Sequence, residues 1–248
     1  MPTLRVIGGG RAGRSLALAL AQAGWRVRPI LGRADDVVDA ASGVDLLVIA
    51  TPDGSIAEVA ATVAPDPEGA VVAHLAGSLG LEVLAPHERR GALHPLVALP
   101  SAEVGAERLV GGAWFAVAGD DLVRRAVDDL GGRSLEVDDA DRAAYHAAAV
   151  IASNHLVALL GQTERVAAAA GVPLDAYLDL VRATVENVAD LGPAAALTGP
   201  AARGDWETID RHVAALDAID PREREAYEAM VALARRLVDD PHRSGGSS

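Results

Sequence analysis

Any chemistry this chain performs must come from histidine, serine, threonine, tyrosine, asparagine, acid and arginine side chains. All 22 of its lysine-plus-arginine residues are arginine, and it has no cysteine. That excludes a disulfide framework, a thiolate nucleophile, a cysteine zinc site and an iron–sulfur ligand set. It also excludes Schiff-base lysine chemistry and the lysine of a phosphate-binding P-loop. The seven histidines are scattered, with no H-E-x-x-H spacing, so no metal site is expected. What does stand out is Gly8-Gly9-Gly10-Arg11-Ala12-Gly13, a match to G-x-G-x-x-G. The pattern needs a strand before it and a helix after it. In that context Gly8 makes a tight turn, Gly10 lets backbone approach a pyrophosphate, and Gly13 lets helix and strand pack closely. The new helix then offers unpaired N–H groups and the positive end of its dipole to phosphate.

Further positions follow from that motif. A dinucleotide site that takes NAD usually has an acid about 20 residues on, at the end of the second strand. Here the sequence reads Leu31-Gly32-Arg33. A guanidinium is a planar fork suited to a ribose 2′-phosphate, so NADP is favoured, with Arg11 as a helper. Asp35 and Asp36 are alternative partners for Arg33. Thr51-Pro52-Asp53 ends an apolar run, and Ser78 follows another; ligands of open parallel sheets sit beyond such strand ends.

Hydride transfer to a carbonyl also requires a proton donor and a group to hold the developing charge. His146, Ser153 and Asn154 lie on one long helical stretch, among Ala, Val and Ile. His94 precedes Pro95, which forces it extended and fixes its direction. These four are the catalytic candidates, with His146 or His94 as donor. Arg203, Thr198 and Asn187 are the substrate-binding candidates, with Arg203 forking onto a carboxylate. Asp205 reads as a helix N-cap.

The elements that must position these residues change character along the chain. Up to about Val137, short apolar runs alternate with amphipathic stretches: strands at Leu4–Ile7, Trp25–Leu31, Val44–Ala50, Ala70–His74, Gly91–His94, Ala113–Ala118 and Leu135–Val137, and helices at Arg14–Ala23 and Ser55–Val63. This is the rhythm of a doubly wound parallel α/β sheet. From Asp139 the pattern is helical: one long helix to Ala170, another from Pro173 to Asp190, a loop at Leu197–Gly204, and helices at Asp205–Leu216 and Pro221–Val238. The expected organisation is a dinucleotide-binding domain over 1–138, an all-helical substrate and dimerisation domain over 139–241, and a disordered tail over 242–248. Apolar residues make up 50% of the chain, enough for a core, but only 3% are aromatic, so that core is built of Ala, Val and Leu. The net charge of −13 and a pI near 4.9 argue against nucleic acid or a membrane surface as partner. No uninterrupted apolar run reaches the ~18 residues of a bilayer span, and no secretory leader is visible. A cytoplasmic location is expected.

The chain also resembles a bacterial Rossmann-like family with an all-helical C-terminal domain of unknown function. The residues that carry the likeness are His74-Leu75-Ala76-Gly77-Ser78, Gly91-Ala92-Leu93-His94-Pro95-Leu96, Tyr145-His146 continuing to Ser153-Asn154-His155, and Leu197-Thr198-Gly199-Pro200 with Arg203-Gly204-Asp205. That family is similar to the superfamily of 6-phosphogluconate dehydrogenase, ketopantoate reductase and pyrroline-5-carboxylate reductase. The resemblance implies an NADP-dependent reductase. The helical domain is mostly apolar, with little room to bury all its faces alone, so a homodimer joined through it is expected. The implied substrate is a 2-oxo acid such as 2-dehydropantoate. The alternatives are a cyclic imine, as in pyrroline-5-carboxylate reductase, or non-catalytic NADP binding. The superfamily's catalytic pair is a lysine with an asparagine four residues later. Asn154 matches the asparagine, but Val150 stands at the lysine position.

Overall fold

The computed structural model describes residues 1–66 and 68–239. The expected tail at 242–248, and the last two residues of the expected second domain, lie outside them. The chain forms two compact units, Met1–Ser153 and the part from Asn154 onward. The sheet-bearing unit thus runs past residue 138 and includes the first turns of the long helical stretch.

In the first unit β1 (Thr3–Ile7), α1 (Arg11–Gln22), β2 (Arg26–Val27), β3 (Leu46–Ile49), α2 (Ile56–Thr62), β4 (Val71–His74), β5 (Arg90–Pro95), α3 (Ala102–Val110), β6 (Trp114–Gly119), α4 (Asp121–Asp129), β7 (Arg133–Glu136) and α5 (Arg142–Val150) follow in order. The seven strands make one sheet in the order β2-β1-β3-β4-β5-β6-β7. Neighbours are parallel except β5 and β6, which pair antiparallel with His94 opposite Ala116. Side chains alternate between two cores. Leu4, Val6, Leu46, Val48, Val71 and Ala73 face Leu16 and Leu20 of α1 and Ala106 and Leu109 of α3. Ile7, Leu47, Ile49 and Val72 face Ile56 and Ala60 of α2. Burial on both faces is why the third strand reads as a continuous apolar run.

Three expectations need correction. The strand expected over Trp25–Leu31 ends at Val27, because Pro29 has no N–H to give the ladder; the pairing resumes only as a bridge from Leu31 to Ile7. Two helices were not anticipated, α3 and α4, although each begins at a side-chain cap, Ser101 and Asp120. The expected loop at Leu197–Gly204 holds a short helix.

The second unit is helical: α6 (Leu156–Ala169), α7 (Asp175–Leu191), α8 (Pro193–Ala196), α9 (Pro200–Arg203), α10 (Trp206–Ile219) and α11 (Arg222–Asp239). A π turn at Ile151–His155 precedes α6. Asp205 caps α10 by accepting from Thr208 N–H at 3.1 Å. Ala167, Ile209, Leu216 and Glu223 are the buried residues among those described in this unit. The helical stretch Asp139–Ala169 contains an 18-residue window of mean hydropathy 1.4, none of it buried. By length and composition alone it could cross a membrane. His146, Ser153, Asn154 and His155 interrupt the run without lowering its mean enough, so the absence of an uninterrupted run understates how apolar this stretch is.

Candidate functional site: a glycine turn and a histidine–tyrosine cluster

Because β1, β3, β4 and β5 run parallel, their C-terminal ends share one edge of the sheet, and the glycine turn, Thr51, Asp53, Ser78 and His94 gather there. At the end of β1, Gly8 has φ +111°, and a Cβ on it would lie 2.5 Å from the carbonyl oxygen of Ala50. A Cβ on Gly13 would lie 2.2 Å from Gly8 O. These two positions admit only glycine. Gly10 differs: its backbone is extended, and a Cβ there would meet nothing within 4 Å. Gly10 is also the N-cap of α1 and makes no side-chain cap hydrogen bond. The space beside Gly10, at the N-terminus of α1, is therefore open.

The other positions surround this turn. Arg33 is exposed and pairs with neither nearby acid. Asp35 accepts from Gly32 N–H at 2.6 Å and Asp36 from Val38 N–H at 3.0 Å. Beyond β3, Thr51 Oγ1 is buried with no hydrogen-bond partner. After Pro52, Asp53 accepts a hydrogen bond from Ser78 Oγ at 3.3 Å, tying the end of β3 to the loop after β4.

That loop is held by His74. Its ring is fully buried, with Nε2 3.2 Å from Gly80 O and Nδ1 accepting from Ala76 N–H. Both nitrogens are used, so His74 is a structural residue, and burial holds its pKa below the usual value. The loop presses Gly77 against two other rings. A Cβ on Gly77 would sit 2.6 Å from His146 Nδ1 and 3.0 Å from His94 Nε2.

His94 is reached from β5, His146 and Tyr145 from α5. His94 Nδ1 is 2.7 Å from Tyr145 Oη. The rings of His94 and Tyr145 meet edge to face at 5.5 Å, and those of His94 and His146 at 5.8 Å. Burial, helped by neighbouring His146, pulls the His94 pKa down to about 4. The ring is therefore neutral at pH 7. His146 Nδ1 is buried without a partner. One turn earlier, Arg142 is 1% exposed; its Nε donates to Asp139 Oδ1 at 2.9 Å, while both terminal nitrogens are buried and unpartnered. Arg142, which helical spacing alone sets one turn before His146, and Tyr145, which is not among the sequence candidates, both belong to this cluster. The Tyr145-His146 dipeptide was the available signal, but its partner lies 51 residues away in the chain.

The remaining candidates are placed elsewhere. Ser153 and Asn154 are exposed in the π turn, and Ser153 Oγ donates to Ala149 O at 2.7 Å. Asn187, Thr198 and Arg203 are exposed in the second unit, Arg203 at the end of α9. Among the described residues no cluster of His, Asp and Glu could hold a metal ion. A cleft of about 500 Å³ lined by Met1, Asp45, Gly69, Arg89 and Arg125 lies at the opposite, N-terminal end of the strands. It contains no pairing of acid with nucleophile.

Residues 33–100 match a Rossmann-like domain, and residues 115–234 match a domain of unknown function, DUF2520. No curated protein matches the sequence. Among solved structures, a Bacteroides fragilis protein provisionally named an NADP oxidoreductase superposes with a TM-score of 0.80 at 22% identity, over 95% of this chain and 98% of that one. An imine reductase from Myxococcus stipitatus in complex with NADP+ has a TM-score of 0.66 at 20% identity, over 97% and 96%. A pyrroline carboxylate reductase from Plasmodium falciparum with NADP bound has 0.61 at 14%, over 96% and 98%. At such identities the likeness is one of fold. The two domain matches occur in the same order as the sheet and the helices, so the chain carries a Rossmann-like domain followed by a DUF2520 domain.

Proposed function

We propose that the protein is an NADP-dependent oxidoreductase that reduces a small substrate. The single observation that carries this reading is the glycine turn. Gly8 and Gly13 are sterically compelled, while the space beside Gly10, the N-cap of α1, is open, as the close approach of a pyrophosphate requires. The buried, unpartnered Thr51 Oγ1 at the neighbouring strand end supports a ligand there. Gly8, Gly10, Arg11, Ala12 and Gly13 would hold the phosphates. Arg33, which makes no ion pair among the described residues, would take the 2′-phosphate that distinguishes NADP from NAD. Thr51, Pro52, Asp53 and Ser78 would border the rest. The cofactor, when bound, supplies hydride.

The substrate in this reading is a small carbonyl compound, a 2-oxo acid such as 2-dehydropantoate, with Arg203 as its carboxylate anchor and Thr198 and Asn187 as further substrate-binding residues. A second reading, reduction of a cyclic imine, is favoured by the named activities of the Myxococcus and Plasmodium proteins. Ser153 and Asn154 would orient the reducible group in either case. Titrating the protein with NADPH and NADH while following nicotinamide fluorescence tests the cofactor: NADPH should bind at least about tenfold more tightly. Absence of NADPH binding overturns the reading. NADPH oxidation with 2-dehydropantoate and with pyrroline-5-carboxylate separates the two substrate classes. The sparse core of the second unit supports a homodimer joined through it.

A further inference from the structure

Reduction consumes a proton as well as a hydride, and the chain has no lysine to deliver it. We propose that the phenol of Tyr145 donates this proton, with His94 as its positioning partner; the inference rests on the reductase reading above. The geometry is specific. Tyr145 Oη lies 2.7 Å from His94 Nδ1, and the rings meet at 89°. With its proton on Nδ1, His94 donates to Oη, leaving the phenol O–H directed elsewhere and favouring the phenolate once the proton leaves. His94 is a poor acid itself, because its pKa near 4 leaves it neutral at pH 7. Tyr145 does carry a proton there, since burial raises its pKa.

Arg142 supplies the third observation. It lies three residues before Tyr145 on α5, so the two are neighbours on the helix. Its guanidinium is buried, and two of its three nitrogens have no partner. An under-neutralised cation in a low-dielectric site stabilises an anion formed beside it; its field opposes the effect of burial on Tyr145. The other titratable and charged groups facing the pair are His146 from α5, His74 from β4 and Asp53 from the turn after β3. In the step, the Tyr145 O–H bond breaks and an O–H or N–H bond forms on the substrate heteroatom. The electron pair stays on Tyr145 Oη, and water restores the proton. With the hydride, the substrate gains two hydrogens and two electrons.

The test uses the full chain and Tyr145→Phe, a change of one oxygen that preserves shape. Expected are unchanged NADPH fluorescence titration and a kcat lower by about 100-fold or more, with KM within about threefold. A second readout needs no turnover. The protein has three tyrosines, so the tyrosinate absorbance titration of wild type minus Tyr145→Phe isolates Tyr145. In His94→Phe that titration should move to higher pH. Turnover within about threefold of wild type in Tyr145→Phe, or an unmoved titration in His94→Phe, overturns the proposal and leaves the reductase reading intact. A wild type that does not bind NADPH overturns the reductase reading instead.

Discussion

His94 links the sheet to α5, and its titration should be visible in stability as well as in chemistry. Its pKa in the folded chain, about 4, lies below the ordinary 6.5. Between those values the unfolded chain binds a proton that the folded chain refuses, so stability is complete above pH 6.5 and is lost as pH falls toward 4. His74 is shifted in the same direction and adds to the slope. For His94 the loss is about 2–3 kcal/mol. Denaturant midpoints for wild type and His94→Asn at pH 7 and pH 4 check this. The variant should lose less stability across the interval, and parallel losses would refute the assignment. Single residues were unevenly legible in the sequence. His94 was singled out through Pro95, and the glycines through their spacing. Arg142 stands out by helical spacing, one turn before His146. Tyr145 could not be found this way, because a phenol on a helix acquires meaning only when a strand 51 residues earlier places an imidazole against it.

The glycine turn allows a paired prediction about an element. At Gly13 a methyl group would sit 2.2 Å from Gly8 O, so Gly13→Ala should cost about 2–3 kcal/mol or more and weaken α1 against β1. At Gly10 the backbone is extended and the space is open, so Gly10→Ala should change stability by less than about 0.5 kcal/mol. If the open space belongs to a pyrophosphate, the same Gly10→Ala should weaken NADPH binding at least about tenfold, roughly 1.4 kcal/mol. Thermal unfolding and fluorescence titration of both variants separate packing from binding. Unchanged NADPH affinity in Gly10→Ala would remove the pyrophosphate from this turn. A cap gives a simpler case. Asp120 accepts from Leu122 N–H at 3.0 Å and forks with Arg89 at 2.9 and 3.1 Å, so Asp120→Ala should cost about 1 kcal/mol in chemical denaturation. Elements with a strong pattern were legible, α1 by its helical periodicity and β3 by its continuous apolar run. α3 and α4 were not, because each is only nine residues long and shows little more than two turns of periodicity. The antiparallel turn of β6 was hidden for another reason. Phe115, Ala116 and Val117 are buried, and a strand covered on both faces looks the same in either direction.

At the scale of the whole molecule the two units differ in how well they are closed. The sheet carries a core on each face. The helical unit, among its described residues, buries three apolar side chains, Ala167, Ile209 and Leu216, while Leu180, Leu191 and Trp206 are 63%, 61% and 53% exposed. On α7, Leu180, Val188 and Leu191 fall toward one side, and an apolar stripe of this kind on a monomer marks an interface. A second copy of the chain is the proposed occupant, since the same stripe on each copy is self-complementary about a two-fold axis. Light scattering should give twice the 25.4 kDa of one chain. Leu180→Glu with Leu191→Glu should give one chain's mass and a lower unfolding midpoint, because placing carboxylates in a closed apolar contact costs several kcal/mol. Flotation with phospholipid vesicles supplies the opposing result. The apolar stretch within Asp139–Ala169 could seek lipid by its hydropathy alone. Protein that floats with vesicles and scatters as one chain in their absence would assign the exposed face to a membrane and end the dimer proposal. Protein that stays behind at twice the chain mass would assign it to the partner copy.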